Sequence, residues 1–151
     1  MSSKTVVVTD GAWGTELQAR GLTPGELPDL WNLKHPDRVE AVARAYVEAG
    51  SEIILTNTFR GNRIALGEAA RDVDVKALNR AGVEISKRAA NGNAKVFASV
   101  GPSGKLLLMG DVSEDDLRRA FEEQVAGLAE GKPDGIVIET MADLVEAKLA
   151  V

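Results

Sequence analysis

Polar side chains stand where short apolar runs of this sequence end, and together they suit the binding of a small cation. Asp10 follows a β-branched run, and Glu139 comes directly after Gly-Ile-Val-Ile. Between them in the chain, a third apolar run leads into Thr56, Asn57 and Thr58. Carboxylate, amide and hydroxyl oxygens all accept hydrogen bonds from an ammonium group. If these run ends meet in the fold, the sequence predicts a site for a small ligand with an ammonium group.

Each of these residues also has an explanation that needs no ligand. Asp10 with the following glycine is typical of a turn or a helix cap, and residues 56–58 suit a turn. Glu139 fits such an explanation less well, because acidic side chains at the end of a buried strand are seldom left unpaired. An ion pair of Glu139 with Arg60 or Arg63 would satisfy it without a ligand.

The elements that would position these residues alternate along the chain. Continuous apolar runs at 5–9, 53–56, 96–100 and 135–138 are typical of strands in a parallel sheet. Helical periodicity follows Pro36 as far as Gly50, Asp74 as far as Asn91-Gly92, Ser113 as far as Gly131, and covers about 142–151. Ser113 with Asp116 resembles a capping box, and Thr140 with Asp143 repeats the pattern. The alternation predicts an α/β protein with parallel strands, whose carboxyl ends form the ligand-binding edge.

Length limits the choice of α/β architecture. A doubly wound sheet and a (βα)8 barrel both fit the alternation, but a complete barrel takes about 250 residues, so four units make half of one. The 151 residues are expected to form one domain. The last helix runs to Val151 without a helix-stop signal, so the chain is expected to be cut at an element boundary.

Composition excludes several classes of function. The formal net charge is −5, and Lys and Arg are scattered, which argues against a nucleic-acid partner. No apolar stretch reaches the ~20 residues that span a bilayer, so we expect no membrane partner and a cytoplasmic location. The chain has no cysteine, which excludes a thiolate nucleophile and a Cys-ligated metal. Neither a G-x-G-x-x-G pattern after a strand nor a Walker pattern is present.

Several motifs, in order and with matching spacing, resemble one family. They are D-G-A-W-G-T-E-L-Q (10–18), P-D-L-W-N (28–32), Y-V-E-A-G-S-E-I-I-L-T-N-T-F (46–59), A-S-V-G-P-S-G (98–104) and D-G-I-V-I-E-T-M-A-D-L-V-E-A (134–147). Over nearly the whole chain the sequence is similar to the N-terminal half of the homocysteine S-methyltransferase domain, the domain of cobalamin-dependent methionine synthase and betaine–homocysteine methyltransferase.

The resemblance implies a (βα)8 barrel with a catalytic zinc that binds the substrate thiol as a thiolate. It also implies that Asp10 and Glu139 hold the amino group of homocysteine, and that Thr56, Asn57 and Thr58 line the same pocket. The family's three zinc cysteines lie in the second half of the barrel, and this chain has none. We therefore expect no zinc cofactor and no catalysis by the chain alone. Arg60 stands where many relatives have a small residue.

Three interpretations remain. The chain is a four-unit half-barrel over residues 1–151 that forms a homodimer through exposed strand edges, or a subunit of a split enzyme whose other chain carries the cysteines, or an inactive remnant. We favour the homodimer, with a homocysteine-like small molecule as the ligand.

Overall fold

A computed structural model describes residues 6–151 of the chain and shows a parallel sheet packed against helices. The strands are β1 (Ile53–Leu55), β2 (Lys95–Val100) and β3 (Gly135–Ile138). The helices are α1 (Trp13–Ala19), α2 (Trp31–Lys34), α3 (Pro36–Glu48), α4 (Arg63–Leu66), α5 (Val75–Ala90), α6 (Glu114–Gly131) and α7 (Leu144–Ala150). Short 3-10 turns cover Pro28–Leu30, Gly67–Arg71 and Leu107–Met109. The α/β alternation predicted from the apolar runs is confirmed.

Side-chain caps set the start of four helices, α4, α5, α6 and α7. Asp74 accepts a hydrogen bond from the amide of Ala77 at 3.0 Å, which begins α5. Ser113 Oγ accepts from the amide of Asp116 at 3.1 Å and donates to its carboxylate at 2.6 Å, so this predicted cap is confirmed. The prediction of a similar role for Thr140 is wrong. Asp143 alone caps α7, because Thr140 has a left-handed backbone (φ 59°) that lies outside the helix.

The strands pair in the order in which the chain makes them. β1 lies beside β2 and β2 beside β3, all parallel, with Ile54 opposite Val96 and Ala98 opposite Ile136. A doubly wound sheet instead reverses its strand order at a switch point. The observed order therefore favours a barrel-like arrangement of the strands.

The first predicted strand, residues 5–9, is not a regular strand in the part of the chain that the structure describes. Thr5 lies outside the described residues, and Thr9 forms only an isolated parallel bridge with Ile53. The amide of Glu52 donates to the carbonyl of Val8, and the amide of Asp10 donates to the carbonyl of Ile53. Val6, Val7 and Val8 are 80%, 51% and 53% exposed. Among the described residues, this segment therefore contacts only the start of β1, and its valines are left exposed.

Helices cover one face of the sheet. Ile54, Val96, Ala98 and Val100 are buried against apolar residues of α3, α5 and α6. Successive strand residues point to opposite faces, so the other face carries Ile53, Leu55, Phe97 and Val137, which are only half-buried. The apolar stripe predicted for α5 is fully buried, as are Val39, Val42 and Ala43 of α3.

The helix α6 departs from its predicted stripe. Leu117, Phe121 and Leu128 are buried as expected, but Val125 is only half-buried, and the buried positions beside it are Gln124 and Gly127. Gly127 brings α6 against the backbone of α5 at Lys76. No helix among the described residues is long and apolar enough to cross a membrane.

Candidate functional site

A cavity of about 370 Å³ opens at the carboxyl ends of the three strands. Its lining comes from the chain around α1, from the turn before α2, and from the residues that follow β1, β2 and β3. The lining residues are Gly11, Ala12, Trp13, Gly14, Pro28, Asp29, Leu55, Thr56, Asn57, Phe59, Arg60, Ser99 and Glu139. Cavities of this size hold small metabolites, and this one has few charged groups among mostly apolar surface.

Glu139 supplies a carboxylate to the cavity from the end of β3. Its Oε1 accepts a hydrogen bond of 2.6 Å from Ser99 Oγ on the neighbouring strand. Within residues 6–151, no Lys or Arg nitrogen lies within 4.0 Å of this carboxylate, and Arg63 instead pairs with Glu123 at 2.6 Å. The ion pair considered as an alternative explanation of Glu139 is therefore absent from the described part of the chain. The carboxylate is held in place without a cation.

Asp10 lies behind the cavity wall. Its Oδ2 accepts hydrogen bonds from the amide of Leu55 at 2.7 Å and from the indole of Trp13 at 2.8 Å. Burial raises the pKa of the Asp10 carboxyl, and the charge of Glu139 raises it slightly further, while the two hydrogen bonds act in the opposite direction. Asp10 thus contributes negative charge near the cavity, while its Oδ2 is engaged by hydrogen bonds within the protein.

The three polar residues after β1 have different positions. Thr56 and Asn57 line the cavity, whereas Thr58 is fully buried beneath it. The hydroxyls of Thr56 and Thr58 lie 2.5 Å apart, Thr58 donates to the carbonyl of Ser99, and Thr56 accepts from its amide. These hydroxyls fasten the end of β1 to β2. They therefore position the cavity floor, and their hydrogen-bonding groups are largely used within the protein.

Buried amides hold the loop after β1 in place. Asn57 and Asn32 exchange two hydrogen bonds, from Asn32 Nδ2 to the Asn57 carbonyl at 2.8 Å and from Asn57 Nδ2 to Asn32 Oδ1 at 2.9 Å. Asn57 Nδ2 also donates to the carbonyl of Pro28. From the helix side, the buried Gln124 donates to the carbonyl of Thr58 at 2.8 Å. The loop that forms the rim is thus fixed to three separate elements.

Two charged residues at the cavity were not predicted as site residues. Asp29 is 2% exposed, and its Oδ1 accepts a 2.9 Å hydrogen bond from the amide of Arg60. Burial raises the pKa of Asp29 to about 6, despite this hydrogen bond. The Arg60 side chain is exposed, and its closest hydrogen-bond contact is to the carbonyl of Ala65 at 3.4 Å. The cavity therefore carries a cationic group as well as carboxylates.

Some of the site residues that were not predicted carry a signal in the sequence. Asp29 stands in the P-D-L-W-N motif, but its burial depends on a turn packed beneath the loop after β1. Ser99 is the single polar residue in the run Val96–Val100, which could have marked it as facing a polar neighbour. Trp13 contacts Asp10 through its indole N–H, and only the short helix α1, which has no clear periodicity, brings them together.

The residues present do not fit a structural or catalytic zinc site of their own. Within residues 6–151, no three His, Cys, Asp or Glu side chains lie close enough together to hold a metal ion. The carboxylates at the cavity are hard oxygen donors, whereas thiolate-bound zinc needs soft sulfur ligands.

The parallel sheet, with strands paired in chain order and a cavity at its carboxyl edge, makes this an α/β protein with a barrel-like strand arrangement. The chain belongs to the homocysteine S-methyltransferase family, whose sequence model matches residues 7–151. It is 34% identical over 161 aligned positions to methionine synthase of Mycobacterium tuberculosis and 32% identical to methionine synthase of Mycobacterium leprae. Each comparison covers 99% of this chain but only 14% and 13% of the relative, so the chain spans about one seventh of their length.

Solved structures agree with this assignment. The oxidized form of the homocysteine methyltransferase MmuM from Escherichia coli superposes with a TM-score of 0.79 at 26% identity. That superposition covers 95% of this chain and 56% of MmuM. The metallated form of the same protein gives a TM-score of 0.79 at 24% identity, over 97% of this chain and 58% of MmuM, and supports the fold alone.

Proposed function

We propose that this chain forms the amino-acid-binding half of a homocysteine S-methyltransferase site, and that its cavity holds the ammonium group of homocysteine or methionine. The observation that carries the proposal is the Glu139 carboxylate, which lines the cavity, is oriented by Ser99 and has no cation partner among the described residues. Asp10 adds negative charge from behind the wall. Thr56, Asn57 and Thr58 contribute the floor and rim that set the shape of the site.

Ligand titrations of two carboxylate variants test this proposal. We expect L-methionine and L-homocysteine to bind with a Kd of about 1 mM, because only the amino-acid end is held. Glu139→Gln is expected to weaken binding by about 10-fold, the effect of losing a charge-assisted hydrogen bond. Asp10→Asn should have a smaller effect of about 3-fold, because Asp10 acts through charge rather than contact. The Trp13 indole N–H resonance in NMR spectra reports binding directly, because that group donates to Asp10.

The control is Glu48→Gln, which removes an exposed carboxylate at the end of α3. Its affinity should equal that of the unmodified protein. Equal affinity of Glu139→Gln and the control variant would contradict the proposal and leave Glu139 with a purely structural role.

We further propose that the chain is a single half-barrel domain of four βα units that pairs with a second copy of itself. Support comes from the strand order, from the one-sided helix layer and from the half-buried apolar face that carries Phe97 and Val137. Each copy offers two complementary edges, residues 6–8 at one end of the sheet and β3 at the other. A twofold arrangement would join them twice and would cover the apolar face.

Light scattering on the eluting protein tests the pairing. We expect twice the chain mass of 16.0 kDa at micromolar concentration. Val137→Lys places a charge on the face that pairing would bury, so it should yield monomer or aggregate. Glu122→Lys, on the exposed surface of α6, should leave the dimer intact. A monodisperse, folded monomer would overturn the homodimer. It would favour the alternative of a split homocysteine methyltransferase completed by a different chain.

Catalysis is assigned to the complete barrel rather than to this chain. The chain has no cysteine, and the described residues hold no cluster of metal ligands, so we propose that it transfers no methyl group without a partner that brings the metal site. The alternative, a subunit of a split enzyme, rests on the same observation. In both cases the role of this chain is to hold the amino-acid end of the substrate.

A further inference from the structure

Arg60 is the cationic residue of a cavity whose other charged lining groups are the carboxylates Asp29 and Glu139. Its guanidinium lies more than 4.0 Å from every carboxylate oxygen in the described part of the chain. Its one side-chain hydrogen bond, to the carbonyl of Ala65, is long at 3.4 Å. An Arg side chain presents five donors in a planar fork that matches a carboxylate. The donors of Arg60 are therefore available to a ligand.

The backbone under this side chain is fixed even though the side chain is exposed. The amide of Arg60 donates to the buried Asp29, and the same loop is fastened at Asn57 and Thr58 by Asn32 and Gln124. The Cα of Arg60 thus has a defined place at the cavity rim. From this fixed point the long, exposed side chain can reach an anion bound in the cavity.

The sheet sets the separation between Arg60 and Glu139. The amide of Gly101, just after β2, donates to the carbonyl of Phe59, and the amide of Glu139 donates to the carbonyl of Val100. The Arg60 and Glu139 backbones therefore flank the end of β2, and at about 4.8 Å per neighbouring strand they lie about 10 Å apart. An α-amino acid that makes a charge-assisted hydrogen bond of about 2.8 Å at each end nearly spans that gap. The long Arg side chain covers the remaining distance.

We infer that Arg60 binds the carboxylate of an α-amino acid whose ammonium group is held by Glu139, so that the cavity selects zwitterionic amino acids over their decarboxylated amines. This inference rests on the proposed ammonium site and adds the second point of recognition. A zwitterion supplies an ammonium group to Glu139 and a carboxylate to Arg60, whereas a simple amine offers nothing to the guanidinium. Arg60 is accordingly a specificity-determining residue.

The test compares L-methionine with 3-(methylthio)propylamine, which is the same molecule without its carboxylate. Affinities are measured by NMR titration of the unmodified protein, Arg60→Gln, Arg60→Lys and the control Arg71→Gln. Arg71 is exposed, contacts Glu68 only at 3.9 Å and lies outside the cavity lining. We expect the unmodified protein and the control to prefer methionine by about 10-fold or more, as for one charge-assisted bidentate contact.

Arg60→Gln should lower the affinity for methionine about 10-fold and leave the affinity for the amine unchanged. Arg60→Lys keeps the charge but loses the planar pair of donors, and should retain only part of the preference for methionine. The inference is overturned if Arg60→Gln weakens both ligands equally, or if the unmodified protein binds both ligands equally. Glu139→Gln separates the two proposals. If it weakens both ligands while Arg60→Gln weakens neither, the ammonium site stands and the carboxylate site fails, and if neither ligand binds the unmodified protein, both fail.

Discussion

Gly127→Ala is expected to lower the free energy of unfolding by about 3 kcal/mol, the upper range for overpacking a well-packed core. A Cβ at this position would lie 2.5 Å from the carbonyl oxygen of Lys76 and 2.7 Å from its Cα. Both are backbone atoms of α5, so no side chain can move aside, and α6 must shift away from α5 as a whole. In an exposed helix the same change would add up to about 1 kcal/mol through helix propensity. Here the steric effect is expected to dominate.

Urea unfolding followed by circular dichroism measures this effect. Gly14→Ala is the matched control, because a Cβ at Gly14, in α1, would meet no atom within 4 Å. The control should be as stable as the unmodified protein or slightly more stable. Equal stabilities for the two alanine variants would show that α5 and α6 are not in close contact at this point.

Asp29 is expected to make the protein less stable as the pH rises from 4 to 7, by about 2 kcal/mol relative to Asp29→Asn. Burial raises the pKa of Asp29 from its ordinary value of 3.8 to about 6, so the folded protein binds the proton more tightly than the unfolded chain does. The stabilisation from this proton is complete below the unfolded pKa and is lost as the pH rises through the folded pKa. The amide side chain of the variant can still accept a hydrogen bond from the backbone of Arg60 but carries no charge to desolvate.

The measurement is the difference in unfolding free energy between the unmodified protein and Asp29→Asn across this pH range. Taking the difference cancels the opposite trends of other carboxylates, such as Asp116, whose pKa is lowered chiefly by its hydrogen bond with Ser113. The control is Asp111→Asn, at an exposed position. Its unfolding free energy should change with pH in the same way as that of the unmodified protein. A difference that does not change with pH would mean that Asp29 is hydrated in solution.

Most of the fold was accessible from the sequence, because it depends on local patterns. Three strands lie within one residue of their predicted limits, and α3, α5 and α6 begin at the residues that Pro36, Asp74 and Ser113 indicated. The short helices α1, α2 and α4 were not predicted. A four-residue helix such as Arg63–Leu66 shows too little periodicity to detect, and it is stabilised by its cap from Asn62 and by tertiary packing.

The candidate site was predicted in part. Parallel topology brings strand ends together, which explains why Glu139, Thr56 and Asn57 meet at one cavity. What the pattern could not predict is which way each group points. The burial of Thr58 beneath the floor depends on side-chain packing between segments far apart in sequence, and so does the hydrogen bond from the Trp13 indole to the Asp10 carboxylate. The homodimer, the ligand and the role of each carboxylate stay predictions.

The pairing of each strand with its predecessor has a consequence for the order in which the nascent protein becomes organised. As the chain leaves the ribosome, β2 can pair with β1 and then β3 can pair with β2. None of these strands therefore depends on a partner far downstream in the sequence. The cavity can form only later, because Glu139 is the last of its lining residues to be synthesised. The packed layer of α3 and α5 on β1 and β2 can therefore mature first. The proposed amino-acid site is therefore complete only when translation has passed β3.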